Sequence, residues 1–369
     1  MNAVRDQLLR LMPARGKFDS NPGLLLQRYL HESATGEKGK PEHKRQILDA
    51  AILSAGNLEL LDLYRAAFVR WSESLPSDPP FIDLVTQDRL IVGLGSENVL
   101  ETGITLHHTY GMPIIPGSAL KGLAAHYCDQ VWGAEPGYKL DGPYHKLLFG
   151  TTKESGCIAF HDAWYVPDSP SAPLLLDVMT PHHPGWNDIK DPLPPTDFDS
   201  PIPVPFLSVS GTFRVAVSWH GPAKGAPEWT KRAMELLCDA LCDWGAGGKT
   251  SSGYGRFDRE KLEATRKEQE ALAARTRREQ EEKAKLAAMT PIERGIKEFL
   301  DLHPDKVGKD YMKLLKELEK ADGRFRTPED RRAVAERIKA GMQADKVWKD
   351  KEPNGKRKKF IEGILGDQP

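Results

Sequence analysis

The chain has 369 residues, 39% of them hydrophobic and 28% charged, and a formal net charge of −1. Those values fall in the range of a soluble globular protein, longer than one average domain and large enough to bury a core without staples. No apolar run approaches the roughly 18 residues a membrane span needs, and Met1 to Arg15 holds no apolar secretory core, so a cytoplasmic chain without membrane contact is expected.

In chain order, Arg5 to Met12 is a short helix candidate, and Pro13 to Gly23 is rich in breakers. The apolar segment Leu24 to Leu30 precedes a polar loop, Ser33 to His43. Gln46 to Trp71 reads as one amphipathic helix, because Leu60, Leu61, Tyr64, Ala67, Phe68 and Trp71 recur at three and four residues. Pro76, Pro79 and Pro80 end it. Phe81 to Leu94 then reads as a strand, and Val99 to Ile115 as a hairpin or bulged strand. Pro116 and Gly117 turn the chain into a helix over Ser118 to Trp132, with Ser118 as its expected cap.

Gly156 to Val166 and Leu174 to Met179 are further strand candidates, followed by a proline-rich loop from Pro181 to Pro205. Phe206 to Trp219 alternates strongly and reads as a strand, Glu228 to Trp244 as a helix, Gly245 to Gly255 as a glycine-rich loop, and Tyr254 to Phe257 as a short last strand. This order of strands and two interleaved helices predicts an α+β, ferredoxin-like domain. From Asp258 the texture changes. Arg259 to Ala288 is a long charged helix, Thr290 with Glu293 forms a capping box, Thr327 repeats the start signal with Asp330, and Gly323 is a helix-stop candidate. The expected division is an N-terminal helical segment (1–80), an α+β domain (81–258), a charged helical linker (259–289) and a small helical domain (290–365).

Charge is unevenly placed. Residues 1–45 carry 9 Lys/Arg against 5 Asp/Glu, residues 46–258 carry 14 against 25, and residues 259–369 carry 29 against 23. The acidic middle argues against a broad basic nucleic-acid surface there. Any such contact must use local cations, backbone amides or the flanks. The basic cluster Lys356 to Lys359 lies near the end. The four cysteines, Cys128, Cys157, Cys238 and Cys242, form no C-x-x-C pair, so buried free thiols are expected.

Two stretches carry chemistry. In the first, Pro116 to Gly122, the amides and dipole of a helix start suit a phosphate, with Gly117 and Ser118 at the turn and Lys121 one turn in. The second is the loop Gly245, Gly247, Gly248, Lys249, Thr250, Ser251, Ser252, Gly253, Tyr254, Gly255 and Arg256. Its glycines let the backbone approach a ligand and form an anion nest, while Lys249, Thr250, Ser251, Ser252 and Arg256 add donors. Gly248-Lys249-Thr250 resembles part of a P-loop. However, Asp243 stands where the first P-loop glycine belongs and the stretch follows a helix, so no nucleotide hydrolysis is expected.

The strings LETGITLHHTYGMPIIPGSALKG, GCIAFHDAW, GTFRVAV and GAGGKTSSGYGRF occur in that order, and together they resemble the RAMP superfamily. The first string resembles the family of the sixth Cmr subunit of type III-B CRISPR effector complexes, as do NPGLLLQRYL and LLLDVMTPHHP. The likeness covers about residues 20–258. It implies a ferredoxin-like, RRM-like core in a non-catalytic antiviral-defence subunit. It also implies a place near the 3′ end of guide RNA, with target RNA in the same complex, beside the backbone RAMP subunit and the first Cmr subunit. Carried over by position, Gly117, Ser118, Lys121 and the glycine-rich loop are its RNA- or neighbour-contacting parts. The helical extension after residue 258 is not explained by it.

Some members of the superfamily cut RNA without metal, using histidine. His107, His108 and His126 lie in the corresponding region, but His107 and His108 are adjacent and cannot share one strand face. Neither His161-Asp162 nor His182-His183 has diagnostic metal spacing, so no metal and no cofactor are expected. A metal-independent endoribonuclease and a purely protein-contacting adaptor are the alternatives.

Overall fold

The computed structural model describes residues 20–28, 41–75, 81–98, 100–170, 172–187, 191–222, 225–302, 309–320, 323–351 and 353–366. The expected helix Arg5 to Met12 lies outside them. The chain divides into two compact units, Met1–Glu268 and Gln269–Pro369.

The described residues of the first unit open with three helices, α1 (Pro22–Arg28), α2 (Pro41–Ala55) and α3 (Leu58–Ser74). The single helix expected over Gln46 to Trp71 is therefore two. Asn57 breaks it, in extended backbone, and its side chain accepts from the amides of Glu59 and Leu60. A cap of this kind stabilises a helix start by about 1 kcal/mol relative to Ala. The strands β1 (Phe81–Val85), β2 (Ile114–Ile115), β3 (Ile158–Phe160), β4 (Ala163–Tyr165) and β7 (Thr212–Trp219) form one antiparallel sheet, with β5 (Leu175–Met179) and β6 (Val204–Ser208) as a separate hairpin. Long β7 is the spine. It pairs with β1 on one side and with β3 and β4 in succession on the other.

Several strands are shorter than expected. The ladder from Phe81 stops at Val85, and the chain then turns along the glycine-rich loop. Among the described residues between Leu94 and Ile114, only Leu106 and Pro113 bridge. The run Phe206 to Trp219 is two strands, divided at Gly211. Tyr254 to Phe257 is not a strand, and only Phe257 bridges Thr86 beside β1. Phe160 pairs with Val217 and Trp164 with Arg214. Three residues thus face two across the ladder, a β-bulge at His161-Asp162 that splits the strand expected over Gly156 to Val166.

Helices α4 (Gly117–Gln130) and α6 (Ala226–Asp243) pack on one face of the sheet, and α5 (Pro143–Phe149) lies between α4 and β3 in the chain. Leu120, Ala124 and Cys128 of α4 and Leu236, Leu237 and Leu241 of α6 join Ile82, Leu84, Phe213, Val215 and Val217 in the main core. The opposite face is covered by α3. Trp71 stacks on Trp164 at 4.9 Å and 3°, and Trp164 stacks on Tyr64 at 5.8 Å. The Tyr64 hydroxyl donates to the Tyr165 carbonyl at 2.6 Å. Arg214 makes a two-pronged pair with Asp83 at 2.7 and 2.8 Å, and its guanidinium lies over Phe81 and Phe68.

Helix α7 (Arg259–Ala288) follows, and its mostly exposed residues fit the charged helix expected there. The described residues of the second unit are helical: α8 (Pro291–Leu302), α9 (Asp310–Leu318), α10 (Pro328–Ala344) and α11 (Asn354–Gly366). Ile296, Phe299, Leu314, Leu315, Val334, Ile338 and Ile361 form its own core. The Thr290–Glu293 box closes in both directions, and Thr327 caps α10 by accepting from the Asp330 amide. Gly323 does not stop a helix, since α9 already ends at Leu318.

Candidate nucleic-acid interface

Of the two expected anion sites, the start of α4 is the weaker. Its cap position is Pro116, and no side chain caps it. Ser118 lies inside the helix and is exposed, so the expected Ser118 cap is not formed. The carboxylate of Asp162 stands there instead and accepts from the Gly117 amide at 2.7 Å. The β-bulge before β4 aims Asp162 at this helix end, where a negative charge complements the dipole. A methyl on Gly117 would lie 2.1 Å from the Phe160 carbonyl, so the turn needs glycine in order to pack on β3. The amides of Ala119 and Leu120 both donate to Pro116. Ser118 keeps a free amide and Lys121 is half-buried, but a phosphate there would meet the Asp162 charge.

The loop from Gly245 to Arg256 keeps more of its donors. Gly245, Gly247, Gly253 and Gly255 have left-handed φ, and so does Lys249, at 58°. The loop folds tightly on itself. A methyl on Gly255 would approach the Ala246 carbonyl to 2.0 Å, and Ala246 donates to Gly255 while Gly255 donates to Arg89. Gly248 donates to Ile91. Several glycines thus serve close backbone packing rather than ligand approach.

Among the described residues, the amides of Gly247, Lys249, Thr250 and Ser251 donate to no protein acceptor. The last three precede and enter the single 3-10 turn Thr250–Ser252, whose leading amides have no acceptor within the turn. Ser251, Ser252 and Arg256 are exposed, and Lys249 and Thr250 are half-buried. Tyr254 holds the loop down: its hydroxyl donates to Asp177 of β5 at 2.8 Å, and burial pushes that hydroxyl up to about 12. Tyr254 is therefore an anchor, and Lys249, Thr250, Ser251, Ser252 and Arg256 are the outward donors. Asp243, just before the loop, is ion-paired with Arg259 at 2.8 Å and accepts from the Tyr127 hydroxyl at 2.6 Å. These contacts hold its carboxyl below the ordinary range although burial opposes them.

The histidines do not converge. His107 packs edge-on against Trp164 at 4.7 Å, and burial lowers its pKa. His108 is exposed, and His126 lies edge-on to Trp244 at 5.0 Å. His161 Nε2 instead meets the Ser218 hydroxyl at 2.9 Å, which also meets His220 Nε2 at 3.0 Å. Nothing in the spacing of His161 and His220 announces this chain, because the β3–β7 register brings it together. No group of three or more His, Cys, Asp or Glu with metal-binding geometry occurs among the described residues. Cys128, Cys238 and Cys242 are buried free thiols, pushed up to about 12, about 12 and about 11 by burial. The aromatic cover of the sheet was also hidden in the sequence. On that face α3 stacks on Trp164 through Trp71 and Tyr64.

Comparison with known proteins agrees with the resemblance seen in the motifs. The chain is 32% identical to the CRISPR system Cmr subunit Cmr6 of Pyrococcus furiosus, over 47% of this chain and 65% of the relative. It is 24% identical to the Cmr6 subunit of Saccharolobus solfataricus, over 50% and 59%. It therefore spans about three fifths to two thirds of the length of these curated relatives. Among solved structures, it is similar to crystalline Cmr6 from Pyrococcus furiosus, with 32% identity, a TM-score of 0.32, and 48% of this chain against 96% of that one. It is also similar to a chain of the type III-B Cmr-beta complex bound to cognate target RNA, with 20% identity, a TM-score of 0.43, and coverage of 65% and 86%. The RAMP superfamily model matches residues 83–258, the stretch that holds the sheet, α4, α6 and the glycine-rich loop. That match places the similarity to the RAMP superfamily in residues 83–258, and the Cmr6 relatives agree with it.

Proposed function

We propose that the chain is a non-catalytic subunit of a type III-B CRISPR (Cmr) RNA-guided effector complex, acting in antiviral defence in the cytoplasm. It binds near the 3′ end of the guide RNA and beside the backbone RAMP subunit and the first Cmr subunit. Its parts are an N-terminal helical segment (1–80), a RAMP ferredoxin-like domain that meets RNA (81–258), a charged helical linker (259–289) and a small helical domain (290–365). The order of Phe257, β1, β7 and β4, with α4 and α6 on one face, supports a ferredoxin-like reading. The names of the relatives support the assembly.

One observation carries the RNA contact. Three successive unpaired amides, from Lys249 to Ser251, share a loop with two cations and two exposed hydroxyls, an arrangement that suits phosphate oxygens. The start of α4 contributes less, because Asp162 occupies it. In the assembled complex, Lys249→Ala with Arg256→Ala should weaken guide-RNA binding severalfold, with the loss larger at low salt, because each phosphate contact releases counterions. Unchanged affinity and unchanged salt dependence would favour the adaptor that touches only protein. The endoribonuclease reading has a direct test of its own. Cleavage of repeat RNA in EDTA, abolished by His107→Ala, His108→Ala or His126→Ala, would replace the present one.

A further inference from the structure

We infer that the turn between α10 and α11, with the first turns of α11, is a second RNA-binding surface, one that takes the phosphate backbone of single-stranded RNA without reading its sequence. It lies outside the residues that carry the family match. It rests on the proposed function only in the choice of RNA as the polyanion.

Residues 346–359 hold seven Lys or Arg against Asp350 and Glu352. The fold keeps these charges on the surface. Val347 donates back to Met342, Lys349 to Val347 and Gly355 to Lys351, a tight reversal that leaves Lys346, Lys349 and Lys351 exposed on its outside. Lys346 takes a left-handed φ of 59° to make this turn. On α11, Ile361 and Gly355 face inward, and Lys356 and Lys359 are exposed one turn apart. Trp348 is half-buried, with the Lys339 and Lys358 ammonium groups 5.8 and 6.0 Å from its ring.

Crowding is what sets the patch apart, seven cations within fourteen residues. Elsewhere in the unit Lys309 pairs with Asp345, Lys320 with Glu317 and Arg324 with Glu298. Here Lys358 pairs with Asp350 at 2.8 Å and also faces Glu362, and Lys359 shares the Asp350 charge from farther off. Among the described residues, Lys346, Lys349 and Lys351 have no carboxylate partner within 4.0 Å. Ammonium groups crowded in this way repel one another, and a polyanion removes that repulsion. They are lysines, point charges on flexible stems, which suit phosphates along a strand rather than a fixed carboxylate geometry. The acidic stretch 46–258 gives the chain a reason to carry its cations on a separate unit.

The test uses the full chain and a labelled single-stranded RNA oligonucleotide, with affinity read by anisotropy across a salt series. Changing Lys346, Lys349, Lys351 and Lys359 together to Ala should weaken binding about tenfold or more at low salt. It should also flatten the slope of log affinity against log salt by up to about 3, at roughly 0.7 per lost phosphate contact. The same four changed to Arg should bind as the parent does, which separates charge from misfolding. An Ala variant with parental affinity and slope overturns the inference. So does one that keeps RNA affinity but loses an acidic protein partner in pull-down. Loss on Lys249→Ala with Arg256→Ala, but not on the four-lysine variant, leaves the proposed function standing and removes this surface alone.

Discussion

Asp162 decides much of the chemistry around α4. Its carboxylate holds the Gly117 amide, and its negative charge acts on both His107 and His161, favouring their protonated forms. Burial outweighs it at each ring, and both histidines sit below their ordinary 6.5. His220 and His108 push the same way as burial. A histidine with a depressed folded pKa is neutral in the native state and charges more readily once unfolded. Its contribution to stability is present above about pH 6.5 and is lost as pH falls through the folded pKa. The melting temperature should therefore drop on acidification from about pH 7 to about pH 5. His161→Gln, which retains a donor and acceptor for Ser218 but does not titrate, should flatten that drop when thermal unfolding is followed by circular dichroism. A His161→Gln profile parallel to the parent's would show that this histidine titrates alike in the folded and unfolded states.

At the scale of elements, local rules succeeded where the deciding partner is three residues away and failed where it comes from elsewhere in the fold. The Thr290–Glu293 box and the Thr327 cap are legible because cap and acceptor share one turn. Asn57 was missed because the apolar stripe runs past it toward Trp71 and hides the break. Ser118 was misjudged because the group that takes the helix start, Asp162, lies 45 residues away on a bulge that no periodicity marks. In the glycine-rich loop the position and the donors were readable. The division of labour was not, since the anchoring of Tyr254 to Asp177 and the pairing of Gly255 with Arg89 depend on β5 and on the segment after β1. The Thr327 cap also gives a clean measurement. Thr327→Ala should cost about 1 kcal/mol and Thr327→Ser appreciably less, read as a shift in the denaturant midpoint of the helical unit. Equal losses for both would mean that the methyl group, not the hydroxyl, matters there.

At the scale of the whole molecule, the two cores share no residue. The first runs from Leu26 on α1 to Leu262 at the start of α7, and the second from Ile296 to Ile361. The aromatic layer under α3 belongs to the first unit, and the described residues of the main core all lie before Glu268. A chain ending at Glu268 should therefore unfold in one cooperative transition with near-native secondary structure, since compact units with complete cores fold as units. That truncation also separates the two anionic contacts. It keeps Lys249, Arg256 and the amides between them, and it removes every lysine of the α10–α11 turn. Its RNA salt slope should fall to that of the four-lysine variant and no further, while its remaining affinity should still respond to Lys249→Ala with Arg256→Ala. A truncated chain that folds but has lost all RNA affinity would assign the whole contact to the helical unit, and the glycine-rich loop would then be a packing device alone.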